Sequence, residues 1–121
     1  MFSSGVSRDF SVFGNGIYTY RLKEEGMDIG EKAAEVAKES LRIQGIWEKA
    51  YIVPGYNPRV WRIDQCRTWI KRDEYGNRQS PYGWEMDHII PKSKGGSDHL
   101  FNLRPLQWYN NARRQAGYLT C

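Results

Sequence analysis

The stretch from Trp84 to Asn111 constrains the fold more than any other part of the 121-residue chain. Apolar and polar residues alternate from Trp84 to Ile90, as in a strand with one buried face. Pro91 ends the run, and Lys92-Ser93-Lys94-Gly95-Gly96 reads as a loop. A second short apolar run follows, and Pro105 is placed to open a helix. The pattern predicts strand, long hairpin loop, strand, helix. Asp87, His88, Asn102 and Asn111 break it, each polar where core packing favours an apolar side chain. Residues that break a local rule are where function is sought.

Asp87 and Asn111 offer one anionic and one neutral oxygen ligand, a set suited to one hard divalent cation such as Mg²⁺ or Mn²⁺. His88 is next to Asp87 and is a natural general base, with an unperturbed pKa of ~6.5. An Asp-His pair alone is more often structural than catalytic. Neighbours in an ideal strand point to opposite faces, so both reach one site only where the strand ends or bulges. Ile89-Ile90-Pro91 supplies such an end. Glu85 would share the face of Asp87, binding a water of the metal shell or an Arg. His99 follows in the loop and reads as a surface residue.

The charge is unevenly placed. Residues 1–58 have a net charge of −1 and residues 59–121 of +5, so the basic half is the half with the unusual motif. A polyanion such as nucleic acid is the partner this suggests, although a solvated basic face accounts for it as well. Two cysteines, Cys66 and Cys121, are too few for a disulfide framework and read as reduced thiols, which predicts a cytoplasmic location. Neither a signal peptide nor an apolar run of membrane-spanning length is expected.

Before the central stretch, Ser11-Val12-Phe13 and Ile17-Tyr18-Thr19-Tyr20 flank Gly14-Asn15-Gly16, which reads as a small hairpin or as a loosely docked arm. Asp28 is placed to cap an amphipathic helix whose apolar stripe is Ile29, Ala33, Val36, Ala37 and Leu41, ending at Gly45 and covering a core. Val60 to Ile63 reads as extended, and Cys66 to Arg72 as a strand running to a turn at residues 73–78. Arg67, Lys71 and Arg72 face either phosphate or solvent. One globular domain is expected, with residues 1–58 an arm and helix packed on a core of residues 59–121.

Over residues 60–114 the sequence resembles the HNH endonuclease family. The matching elements are Asp87-His88, Ile89-Ile90-Pro91, Gly95-Gly96-Ser97-Asp98, Asn102-Leu103 and Asn111, with 14 residues from His88 to Asn102 and 9 from Asn102 to Asn111. The resemblance implies an α+β fold with a ββα-metal core, to which the N-terminal helix and short flanking strands are added. It implies Asp87 and Asn111 as metal ligands, His88 as general base and Asn102 as the residue that holds the loop and orients the base. Arg114 stands where many members have a Lys that faces phosphate. Many members also bind a structural zinc through two C-x-x-C pairs. Here those positions read Cys66, Trp69, Gln107 and Asn110, so no structural zinc is expected. Trp69, Trp84, Trp108 and Tyr109 would replace it by packing, leaving Cys66 a buried core thiol.

The activity this implies is hydrolysis of DNA phosphodiester bonds, with Lys92, Lys94, Arg113 and Arg114 on flanking phosphates of double-stranded DNA. Products would be 5′ phosphate and 3′ hydroxyl ends. A chain with one site and no apolar stripe left for dimerisation is expected to be a monomer that nicks one strand. A non-catalytic DNA-binding module, or an RNase of toxin type, are the alternatives.

Overall fold

The computed structural model describes residues 8–12, 18–22, 27–114 and 116–121. The chain divides into two compact units, residues 1–41 and 42–121. The division falls inside a long helix, whereas the charge changes sign at the 58/59 border.

In the first unit three antiparallel strands lie in the order β1 (Arg8–Val12), β2 (Tyr18–Leu22) and β3 (Met27–Asp28). β1 and β2 pair antiparallel from Arg8↔Leu22 to Val12↔Tyr18, which fits the hairpin of the two alternatives. Gly14-Asn15-Gly16 lies outside the described residues. Helix α1 (Ile29–Trp47) follows, and Asp28 caps it as expected: its Oδ1 accepts the Glu31 N–H at 2.8 Å. The helix overruns Gly45 by two residues because Ile46 and Trp47 are fully buried. The apolar stripe differs from expectation. Ile29, Val36 and Leu41 are exposed, and the buried core cluster takes from α1 only Ile46 and Trp47.

The second unit is built on that cluster, which joins Ile46, Trp47, Ala50, Ile70, Trp84 and Leu103. Trp47 and Trp84 lie 5.4 Å apart, and each buried indole N–H has a partner: the Pro58 carbonyl at 3.1 Å and the Lys71 carbonyl at 3.0 Å. Loss of either ring would cost about 3–5 kcal/mol. β4 (Trp61–Ile63) and β5 (Trp69–Lys71) form one antiparallel pair. β6 (Trp84–His88) and β7 (Leu103–Gln107) form another, paired from Trp84↔Gln107 to His88↔Leu103, and α2 (Trp108–Arg114) follows. The architecture is α+β, with the expected strand, loop, strand, helix order.

Pro105 does not open the helix. It lies in β7 opposite Met86, on a strand that pairs only with β6 among the described residues, so its missing N–H falls where the strand has one neighbour. α2 starts at Trp108 instead, where Gln107 Oε1 accepts the N–H of Tyr109 at 2.9 Å and of Asn110 at 3.1 Å. A glutamine thus satisfies two of the helix's orphan donors.

The expected strand from Cys66 to Arg72 is shortened to Trp69–Lys71 by Asp64. Its carboxylate is 1% exposed and accepts four hydrogen bonds: Cys66 N–H and Thr68 N–H on Oδ1, and Gln107 N–H and the Asn110 amide on Oδ2, at 2.9–3.0 Å. The first pair folds residues 64–68 into a turn, with Arg67 at φ 62°. The second pair ties that turn to the start of α2. All four carboxylate acceptor sites are taken, which is what makes the buried charge tolerable.

Two expectations about residues 66–110 are therefore corrected. Cys66 is not a buried core thiol but forms a disulfide with Cys121, Cα atoms 5.3 Å apart. Closing a loop across 55 residues contributes about 4 kcal/mol on the chain-entropy argument. What stands at the four positions compared with zinc ligands is this disulfide and the Asp64 knot, not aromatic packing alone. Trp69 instead packs edge-on against Tyr56 and Trp61. No helix among the described residues is long and apolar enough to cross a membrane.

Asp64→Ala strands donors from three segments at once and should destabilise the protein by about 3 kcal/mol or more. Urea unfolding of the variant beside the parent measures this; a change under about 1 kcal/mol would contradict the role of Asp64 as a buried hub.

Candidate active site

A cavity of about 280 Å³ lies where β6 ends beside α2, and Asp87, His88, Lys92, Asn111 and Arg114 are among its lining residues. β6 stops at His88, so the adjacent Asp87 and His88 both line this one space, as the strand-end argument requires. Asn111, on the second turn's worth of α2, completes the trio predicted from sequence.

Asp87 is 5% exposed and is held by two guanidinium groups. Arg104, directly opposite in β7, donates Nε–H to Oδ2 at 2.7 Å. Arg114 Nη1 lies 2.7 Å from Oδ1 and 2.8 Å from Oδ2. Arg114 was expected to face phosphate, and the structure corrects this. Its side chain is 4% exposed, and the guanidinium donates to Asp87 and to the carbonyls of His88, Ile89 and Gly117. Those acceptors take its N–H groups and leave it no hand for an outside phosphate.

His88 Nε2 lies 2.7 Å from Asp98 Oδ1. The His88 bond, with Lys92 Nζ adding at 3.3 Å, holds the Asp98 carboxyl below the usual carboxylate range. An ionised carboxylate only accepts, so the ring nitrogen facing it is the donor, and a neutral ring would have its free lone pair on Nδ1. Asp98 was not singled out as a site residue by the sequence; its place in the Gly95-Gly96-Ser97-Asp98 loop is the one signal it gave.

Asn102 does not line the cavity. It is 4% exposed; its amide nitrogen donates to the carbonyls of Ile90 and Ser97 at 3.1 and 2.8 Å, and its Oδ1 accepts the Ile90 N–H at 2.9 Å. One side chain thus closes both ends of the loop between His88 and Asp98. Lys49 supports it from outside, donating to the carbonyls of Leu100 and Leu103, with burial lowering its pKa. Gly96 is required here: a Cβ would meet the Ile90 carbonyl oxygen at 1.7 Å.

Glu85 takes the salt-bridge alternative. Arg78 grips it at 2.6 and 2.9 Å and is the main cause holding its pKa below the usual carboxylate range. Its Oε1 also accepts from Asn111 Nδ2 at 2.9 Å, which fixes the amide so that Oδ1 is the atom left for a ligand.

The donor set fits a hard divalent cation that keeps most of its water. Oδ2 of Asp87 accepts from both arginines and Oδ1 from Arg114 alone, so one lone pair of Oδ1 remains, on a residue that lines the same cavity as Asn111. Among the described residues no group of three or more His, Cys, Asp or Glu could hold a metal ion by itself.

Of the expected cationic residues, Lys92 lines the cavity, Lys94 is exposed on the adjoining loop, and Arg113 is exposed over the Tyr109 ring at 5.1 Å. His99 is exposed, as expected, and stacks on Phe101. No curated protein and no solved structure matches the chain. The family model for HNH endonuclease matches residues 71–113, which span β6, the loop, β7 and nearly all of α2. The matched residues include Asp87, His88, Asn102 and Asn111.

Proposed function

We propose that the chain is a metal-dependent endonuclease that hydrolyses phosphodiester bonds of double-stranded DNA, one strand at a time. The observation that carries this reading is the convergence of Asp87, His88 and Asn111 on one cavity, with His88 oriented by Asp98. A DNA-binding module without chemistry has no use for that trio.

Asp87 Oδ1 and Asn111 Oδ1 would hold one Mg²⁺ or Mn²⁺, and no structural zinc is part of the reading. The ion, when bound, supplies Lewis-acid stabilisation of the charge that builds on the phosphate and the leaving oxygen. His88 Nδ1 takes a proton from the attacking water, while Nε2–H stays with Asp98. Asp98 then faces the imidazolium that forms. Lys92 at the cavity wall, with Lys94 and Arg113 outside it, meets flanking phosphates; Arg114 holds Asp87 in place.

His88→Ala should reduce cleavage of plasmid DNA by roughly 10² or more and leave DNA and metal binding intact. Asp87→Ala should lose metal binding itself, so only that variant gains from excess metal. Metal titration beside a Mg²⁺ or Mn²⁺ cleavage assay separates the two, and full activity in His88→Ala would remove the base assignment.

Asp98→Ala should slow cleavage by about tenfold or more, since it frees the ring to rotate and to change tautomer. Lys92→Ala, which leaves the His88–Asp98 bond alone, is the control for the other contact of Asp98. Parental single-turnover rates in Asp98→Ala would mean that the ring needs no such partner.

One chain offers one site, and the two strands of a duplex run in opposite directions, so a double cut needs a symmetric pair or a second encounter. Supercoiled plasmid should therefore become open circle first and linear only later. Linear product at the early rate of open circle, with a dimer by light scattering, would contradict the monomeric nicking reading.

A further inference from the structure

Tyr56, Trp61, Trp69 and Tyr82 line a second cleft, of about 310 Å³, away from the Asp87–His88 cavity. None belongs to the buried core cluster, and Tyr56 and Tyr82 are 52% and 41% exposed. Their rings meet edge to face: Tyr56 and Trp69 at 4.8 Å and 73°, Trp61 and Trp69 at 5.9 Å and 77°, Trp61 and Tyr82 at 4.9 Å and 89°. A perpendicular neighbour covers only part of a ring's face, so flat π surface stays open along the cleft.

Two ligand chemistries suit such walls, a quaternary ammonium and a flat nucleobase. The charge decides between them. Among the described residues no carboxylate lines the cleft, and Lys71, opposite Trp61 in the β4–β5 pair, places Nζ 5.6 Å from the Trp61 ring centroid. Asp73, the acid paired with that ammonium among the described residues, is 4.0 Å from it and 75% exposed. A cationic ligand would meet a cation already at the ring, whereas a base joined to phosphate would find a partner for its charge.

We propose that this cleft binds one unpaired nucleobase of the nucleic-acid substrate by aromatic stacking, with Lys71 on the adjoining phosphate. The proposal rests on the nuclease reading only for the partner being nucleic acid. Tyr82 precedes β6, whose far end is His88, so the cleft and the proposed reaction centre are at most about 20 Å apart at 3.3 Å per residue. At about 3.4 Å per nucleotide along one strand, that is at most about six nucleotides. The substrate would be a duplex with a single-stranded stretch within that distance of the scissile phosphate.

The test measures binding by fluorescence anisotropy in the full chain carrying His88→Ala, without added divalent metal. The probes are a blunt duplex, the same duplex with an oligo(dT) tail of about six nucleotides, and the same with an abasic tail. The dT tail should strengthen binding by about fivefold or more and the abasic tail should not. Tyr56→Leu with Tyr82→Leu should abolish the gain while binding the blunt duplex as before, and Tyr56→Phe should keep it. Independently of any variant in the cleft, oligo(dT) should shift the indole N–H resonances of Trp61 and Trp69 and leave those of Trp47 and Trp84. An equal gain from the abasic tail, a gain that survives the double Leu variant, or indole shifts produced by tetramethylammonium but not by oligo(dT) would overturn the proposal. Tail-dependent binding in a protein that cuts no DNA would refute the nuclease reading alone; cleavage without tail preference would refute the cleft alone.

Discussion

A guanidinium that is 4% exposed must find acceptors inside the protein, and where Arg114 finds them sets the rest of the site. It sits at the last residue of α2 and reaches the carboxylate of Asp87 and the carbonyls of His88 and Ile89 at the end of β6. Helix and strand are thereby fixed in relative height. Asn111, nearly one turn before Arg114, lines the same cavity as Asp87 because of that tie. Lysine in this place would satisfy three donors at one point, whereas guanidinium spreads its donors over carboxylate and backbone together.

A second chain of constraint begins at Asn102. By holding Ile90 and Ser97 it closes the loop, the closed loop delivers Asp98, and Asp98 fixes the imidazole of His88. On the proposed reading Asn102 would orient the base through a carboxylate and not by touching the ring. Glu85 does for Asn111 what Asp98 does for His88, with Arg78 keeping its charge in place. His88 and Asn111 are each aimed by a carboxylate on another segment, and Asp87 by two arginines.

Local pattern made the strand, loop, strand, helix order legible, and with it the Asp28 cap and the convergence of Asp87, His88 and Asn111. What stayed hidden depends on register and on distant partners. Arg104 is an ordinary polar residue of a short strand until Asp87 is known to lie opposite it. Asp64 follows the extended run of Val60 to Ile63 with nothing to mark it, and two of its partners, Gln107 and Asn110, are 43 and 46 residues away. Pro105 suits both a first helical turn and a strand with one neighbour, and only the pairing with Met86 separates them. The Cys66–Cys121 bond was hidden for the same reason, since two cysteines 55 residues apart carry no mark of proximity. Its presence also removes the ground for a cytoplasmic location, which rested on reduced thiols; a disulfide suits an oxidising surrounding.

The charges around Asp87 bear on the order in which ligands would arrive. One carboxylate between Arg104 and Arg114 leaves the cluster at net +1, and Glu85 beside Asn111 is already balanced by Arg78. A divalent cation alone would be adding charge of the same sign to a site with a single anionic lone pair to offer. Two unit charges about 4 Å apart interact by about 4 kcal/mol at an effective dielectric constant of about 20, so the single charge of one phosphate is enough to cancel the excess. On the proposed reading, then, the cation is held jointly by the protein and the scissile phosphate, and the arginines that lower its affinity for the free protein favour the phosphate. A nuclease arranged this way gathers its metal at the substrate, which follows from Asp87 being one acid shared among three cations.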